Sequence, residues 1–75
     1  MAVAYIVITT EIGGEKEVKD RLSTLPEVKE IHEVRGVYDL IVRMETDKMS
    51  ELKDTVGQKI KCLDRVRSML TMVVT

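Results

Sequence analysis

A chain of 75 residues makes one domain, and a domain this short buries only about 60% of the surface its unfolded chain exposes. It has no Phe or Trp, two Tyr, one Cys and one His, so Val, Ile, Leu and Met must do the packing, and neither an internal disulfide nor a four-ligand zinc site can reinforce it. The 12 Lys and Arg are interspersed with 13 Asp and Glu for a net charge of −1, which argues against direct contact with nucleic acid, and no run approaches the roughly 20 apolar residues of a membrane span.

The first element is Ala2–Thr10, an almost wholly apolar, β-branched run that reads as a central strand covered on both faces. Gly13-Gly14 breaks it and opens a helix with Glu15 and Glu17 in its positive first turn. Val18, Leu22 and Leu25 give that helix one apolar stripe, and Pro26 is expected to stop it. Its Glu15–Lys19 and Glu17–Arg21 pairs stand at the spacing of surface ion pairs. Val28–Arg35 reads as a charged edge strand and Val37–Glu45 as a third strand. Asp47 is expected to cap a second helix whose buried stripe is Met49, Leu52, Val56, Ile60 and Leu63, with Lys59 and Lys61 at its negative end. Val66–Thr75 closes the chain as a fourth strand.

A repeat supports this β-α-β-β-α-β order. A shift of 38 residues lays Val18 on Val56, Leu22 on Ile60, Leu25 on Leu63, Val28 on Val66 and Ile31 on Met69. Two such β-α-β units predict an α+β, ferredoxin-like split βαβ domain spanning residues 1–75. Right-handed crossovers put both helices on one face of an antiparallel sheet ordered strand 4, strand 1, strand 3, strand 2. In the first strand Val3, Tyr5 and Val7 oppose Ala4, Ile6 and Ile8. In the fourth, Met69, Thr71 and Val73 oppose Val66, Ser68, Leu70, Met72 and Val74. All four rows are largely apolar, yet the helices can cover only one side. A sheet-to-sheet dimer is the expected remedy.

No catalytic motif is present. Ser23, Ser50 and Ser68 lack a nucleophile elbow, and His32 alone could serve as a base; a surface or interface position fits it better. Cys62 reads as a small packing residue, and a lone thiol without a leader pattern suggests the cytoplasm. Gly13-Gly14 has neither P-loop nor dinucleotide spacing. RNA-binding aromatics and a Cys-x-x-Cys pair are both absent. Gly36-Val37-Tyr38-Asp39-Leu40 is the most informative stretch: a flexible Gly beside an aromatic and a carboxylate, between two strands, suits a small polar ligand or a subunit contact, and equally a plain hairpin turn.

Leu-Pro-Glu-Val, followed about ten residues later by Gly-Val-Tyr-Asp-Leu-Ile-Val-Arg-Met, with Ala-Tyr-Ile-Val-Ile before and Val-Arg-Ser-Met-Leu-Thr-Met-Val-Val after, resembles the effector-binding RAM domain of the Lrp/AsnC feast/famine transcription regulators over essentially the whole chain. The resemblance implies sheet-paired dimers assembled into octameric or decameric rings, with an amino acid bound between dimers, no catalysis and no cofactor or metal. By position it names Gly36, Tyr38 and Asp39 as ligand-binding residues, with Thr71, Met72 and Val73 from the last strand and Met49 more remotely. Asp39 would hold the ammonium, turn N–H groups the carboxylate, and apolar neighbours the side chain. No helix-turn-helix precedes the first strand, so modulation of transcription would be indirect, through the effector or through co-assembly with full-length regulators. Two other readings share the topology: a dimeric α/β-barrel enzyme of the small monooxygenase type, with His32 and Tyr5 as its polar groups, and an ACT-like allosteric module.

Overall fold

The computed structural model describes residues 1–75. β1 (Ala2–Thr10) pairs antiparallel with both β3 (Leu40–Thr46) and β4 (Val66–Val73), and β2 (Val28–Glu33) pairs with the outer edge of β3. The sheet order is therefore β2-β3-β1-β4, the predicted α+β split βαβ arrangement. α1 (Glu15–Leu22) and α2 (Met49–Thr55) lie on one face.

The core forms where the helix-facing residues of β1 and β3 meet the helices. Ile6, Ile8, Leu40, Val42 and Met44 pack with Val18 and Leu22 of α1 and with Ile60, while Ala2 and Ala4 pack with Leu52. Ala4, Ile6, Ile8, Leu40, Val42 and Met44 have no exposed surface at all. β1 and β3 are also the two strands with neighbours on both sides, so their backbone groups are paired as completely as their side chains are covered.

Several local expectations are corrected. α1 ends at Leu22, before Leu25 and Pro26, because the Ser23 and Thr24 hydroxyls donate to the carbonyls of Lys19 (2.8 Å) and Arg21 (2.7 Å) and close the last turn. Leu25 still packs on the core from the turn that follows. The within-helix ion pairs give way to longer-range ones, Lys19–Glu33 at 3.6 Å and Glu17–Arg65 at 3.4 Å. Asp47 is exposed and caps nothing; Lys48 is the N-cap residue, in extended conformation, and the Thr46 hydroxyl donates to its carbonyl at 2.7 Å. Met49 lies outside the buried stripe, and Cys62 is exposed rather than packed.

α2 continues as a π-helical stretch, Val56–Ile60, marked by the Lys61 amide donating to the Val56 carbonyl. The spacing Leu52–Val56–Ile60 is four residues at each step, wider than an α-helical turn. Widening the last turn keeps Ile60 on the sheet instead of rotating it away.

The faces of β4 also differ from simple alternation. A bulge shifts the register between Thr9 and Thr10: Thr9 faces Ser68, but Thr10 faces Val66, so Arg67 is the extra residue. Val66 thereby joins Met69 on the helix side, while Ser68, Leu70 and Met72 remain on the open face. β2 and β4 stop at Glu33 and Val73, and β3 starts only at Leu40, which leaves residues 34–39 as a turn.

Truncation at the strand centre, Ile6→Ala, should cost about 2–5 kcal/mol in chemical denaturation, because neither sheet nor helices can collapse into the gap. Gly14→Ala should cost about 1–3 kcal/mol, since the added methyl would meet Arg65 Cβ at 3.0 Å and the Glu11 carbonyl oxygen at 3.2 Å.

Candidate functional site

The β2–β3 turn is folded against the end of β1. The Asp39 amide donates to the Ile8 carbonyl (2.8 Å), and the Val34 amide donates to the Asp39 carbonyl (2.9 Å), closing the turn across its base. The Asp39 carboxylate crosses to β1, where Oδ2 accepts from the Thr10 amide (2.8 Å) and the Thr10 hydroxyl (3.3 Å). Thr9 adds a hydroxyl bond to the Val37 carbonyl at 3.3 Å. Gly36 has φ +146°, a conformation open to glycine, and nothing lies within 4 Å of where its side chain would begin. The amides of residues 35–38 donate to no group of the protein.

Between this turn and the first residues of α1 lies an open cleft of about 620 Å³, lined by Glu15 and Lys16 on one side and by residues 33–36 and Asp39 on the other. Gly36 and Asp39 line it; Tyr38, half-buried, does not. Thr71, Met72 and Val73 are elsewhere. They face Ile6, Tyr5 and Ala4, whereas the Asp39 carboxylate sits on Thr10, at least four residues or about 13 Å further along the strand. One subunit thus brings Gly36 and Asp39 together and leaves 71–73 apart. Thr10, Glu15, Lys16 and Arg35 are the neighbours that sequence reasoning missed: Glu15 reads as a helix-dipole residue and Arg35 as strand, and only the folded turn sets them around one opening.

The second candidate surface is the open sheet face. Register lines up Met72, Tyr5, Arg43 and Glu30 in one row and Leu70, Val7, Ile41 and His32 in the next. The β4–β1 half is apolar, with Tyr5 40%, Leu70 51% and Met72 46% exposed. The β3–β2 half is polar: Arg43 Nε donates to Glu30 at 2.6 Å and Nη1 to Glu45 at 2.8 Å. The hydrogen bond and charge of Arg43 hold the Glu30 carboxyl below its ordinary value, and the two glutamates push Arg43 up. His32 is exposed beside them. No group of His, Cys, Asp and Glu is placed to hold a metal ion, and no helix is long and apolar enough to cross a membrane.

The profile of the Lrp/AsnC ligand binding domain matches residues 3–75. The HTH-type transcriptional regulator FL11 of Pyrococcus furiosus is 31% identical over 72 residues, covering 96% of this chain and 47% of the regulator, so the chain spans about half the length of the curated regulators it matches. A homocitrate synthase of Sulfurisphaera tokodaii is 39% identical over 57 residues, 76% of this chain but 12% of the enzyme. The crystal structure of FFRP-DM1 superimposes with a TM-score of 0.97 at 39% identity and full coverage of both chains. A transcriptional regulator of Neisseria meningitidis, solved as an L-Met complex, shares the fold at 14% identity, with a TM-score of 0.89 and coverage of 99% of this chain and 49% of that one.

The Glu30–Arg43 pair sets a pH dependence. A carboxyl lowered in the folded state adds stability that is present above its ordinary value of 4.5 and is lost as pH falls through the folded value. The stability difference between wild type and Glu30→Gln should therefore shrink between about pH 6 and about pH 3, and shrink again in high salt; denaturation series at each pH check it.

Proposed function

The chain belongs to the Lrp/AsnC ligand binding domain family, and from that membership we propose that it is an oligomerising effector-binding module, without catalysis, that senses an amino acid. The observation that carries the reading is the β2–β3 turn itself. A glycine at positive φ, four unpaired amides and an adjoining cleft make a polar recess of the size of a small metabolite. The N. meningitidis protein of the same fold was solved with an amino acid, which supports the ligand class without identifying it here.

Assembly is part of the proposal. The apolar half of the open face, Tyr5, Val7, Leu70 and Met72, is the surface on which a twin would sit, sheet against sheet about 10 Å apart. Thr71, Met72 and Val73 lie too far from Gly36, Tyr38 and Asp39 to complete a site within one subunit, so a site using all six must draw on different subunits. Dimers assembled into an octameric or decameric ring, with the effector between dimers, supply that arrangement. Transcription would respond indirectly, through the effector or through co-assembly with full-length Lrp/AsnC regulators.

A second reading is favoured by the homocitrate synthase match: the module serves as a sensor for a biosynthetic enzyme rather than for a DNA-binding regulator. Both readings keep the ligand site, and they part on the partner.

Sedimentation and light scattering at micromolar concentration should show dimers or larger rings. Leu70→Glu, which sets a charge in the apolar half of the face, should shift the protein to single subunits; a wild-type monomer removes the assembly part of the proposal. Thermal denaturation against a panel of amino acids at millimolar concentration should show one that raises the melting temperature by mass action. Asp39→Ala should weaken that ligand about tenfold with the dimer intact.

A further inference from the structure

The two margins of the sheet are unlike. β2, at one margin, carries Lys29, Glu30, His32 and Glu33, and a register shift between Val28 and Glu30 interrupts its ladder. β4, at the other, is uncharged from Ser68 through Val73 and runs in register with β1 beyond the bulge at Arg67. The direction of its free backbone groups follows from one bond. The Val74 amide donates to the Val3 carbonyl at 2.9 Å, so Val74 and, by alternation, Met72, Leu70 and Ser68 turn their amides and carbonyls toward β1. Met69, Thr71 and Val73 turn theirs outward, where no strand of the chain follows.

We propose that this margin is an interface between copies of the chain, in which β4 pairs antiparallel with β4 of a partner subunit about a two-fold axis through Thr71. Thr71 then exchanges N–H···O bonds with the partner's Thr71, and Met69 and Val73 exchange theirs with the partner's Val73 and Met69, up to about six ladder bonds in all. The side chains agree with this register. Met69 meets the partner's Val73 on the helix side and Leu70 meets the partner's Met72 on the open face, so no charge is set against an apolar residue. β2 does not suit the role of partner strand: it would bring Glu30 and Glu33 against this neutral row, and joining unlike margins does not close on two subunits. The pairing does not rest on the sheet-to-sheet contact proposed above. It uses main-chain groups, leaves both open faces on the same side, and joins their apolar halves into one patch with the two Arg43 clusters at its ends.

Amide hydrogen exchange of the purified chain, without ligand and at several protein concentrations, tests this. The amides of Met69, Thr71 and Val73 find no acceptor within one subunit, so their exchange should slow about tenfold between low and high micromolar protein, whereas those of Leu70 and Met72 should be protected throughout. Thr71 opposes Ile6 on the helix side, so substitutions there act on the edge contact and leave the open face unchanged. Thr71→Lys and Thr71→Glu each set like charges opposite one another at the axis and should weaken the pairing about tenfold in sedimentation; an equimolar mixture sets opposite charges there and should pair more tightly than either variant alone. The exchange measurement needs no variant, so it decides the matter even if a variant fails to fold. Outward amides that exchange freely in an assembled wild type overturn the edge pairing and leave the sheet-to-sheet reading standing. Variants that assemble as wild type does, or a mixture that gains nothing over its components, also overturn it. A wild type that stays a single subunit overturns both.

Discussion

Everything in this domain is placed by β1. It is hydrogen-bonded along both edges, and Ala4, Ile6 and Ile8 are sealed beneath the helices. Its far end receives the β2–β3 turn through Thr10 and the β4 connection through the Glu11 amide, which donates to the Arg65 carbonyl at 2.8 Å. Its other face carries Val3, Tyr5 and Val7, and no element of the chain covers them. Val7 is 8% exposed only because Leu70 and Ile41 flank it in the same row. One strand thus holds the core together on one side and leaves hydrophobic surface on the other.

The uncovered face is divided. Toward β4 it is apolar; toward β2 it holds Arg43 gripped between Glu30 and Glu45. Because the arginine has both of its partners within the subunit, a twin can approach the face without stranding an unpaired charge, the costliest event in a buried contact. The ion pairs contribute little stability at this exposure, but they confine the apolar surface to the β4–β1 half of the face.

The element order, the strand order and the inner rows of β1 and β3 were legible in the sequence, because apolar periodicity there is dictated by burial alone. What escaped is local. The end of α1 was set by the hydroxyls of Ser23 and Thr24 rather than by Pro26. The side taken by Val66 was set by a bulge at Arg67 that no alternation pattern announces. The resemblance in the turn drew attention to Gly36 and Asp39, but the carboxylate of Asp39 is committed to Thr10, 29 positions away in sequence, and only the folded chain shows that. Glu15, Lys16 and Arg35 looked like solvated charges because nothing in their own segments tells which of them will find partners.

β4 closes one side of the sheet, so its outer backbone groups face solvent. From Ser68 through Val74 it has no charge, no proline and no glycine to discourage a visitor. Natural sheets usually blunt such a margin with lysines or a kink. Here the one bulge and the one arginine lie at its entrance, and the seven residues beyond are unguarded. An edge of this kind is a template for strand-by-strand accretion unless a partner covers it.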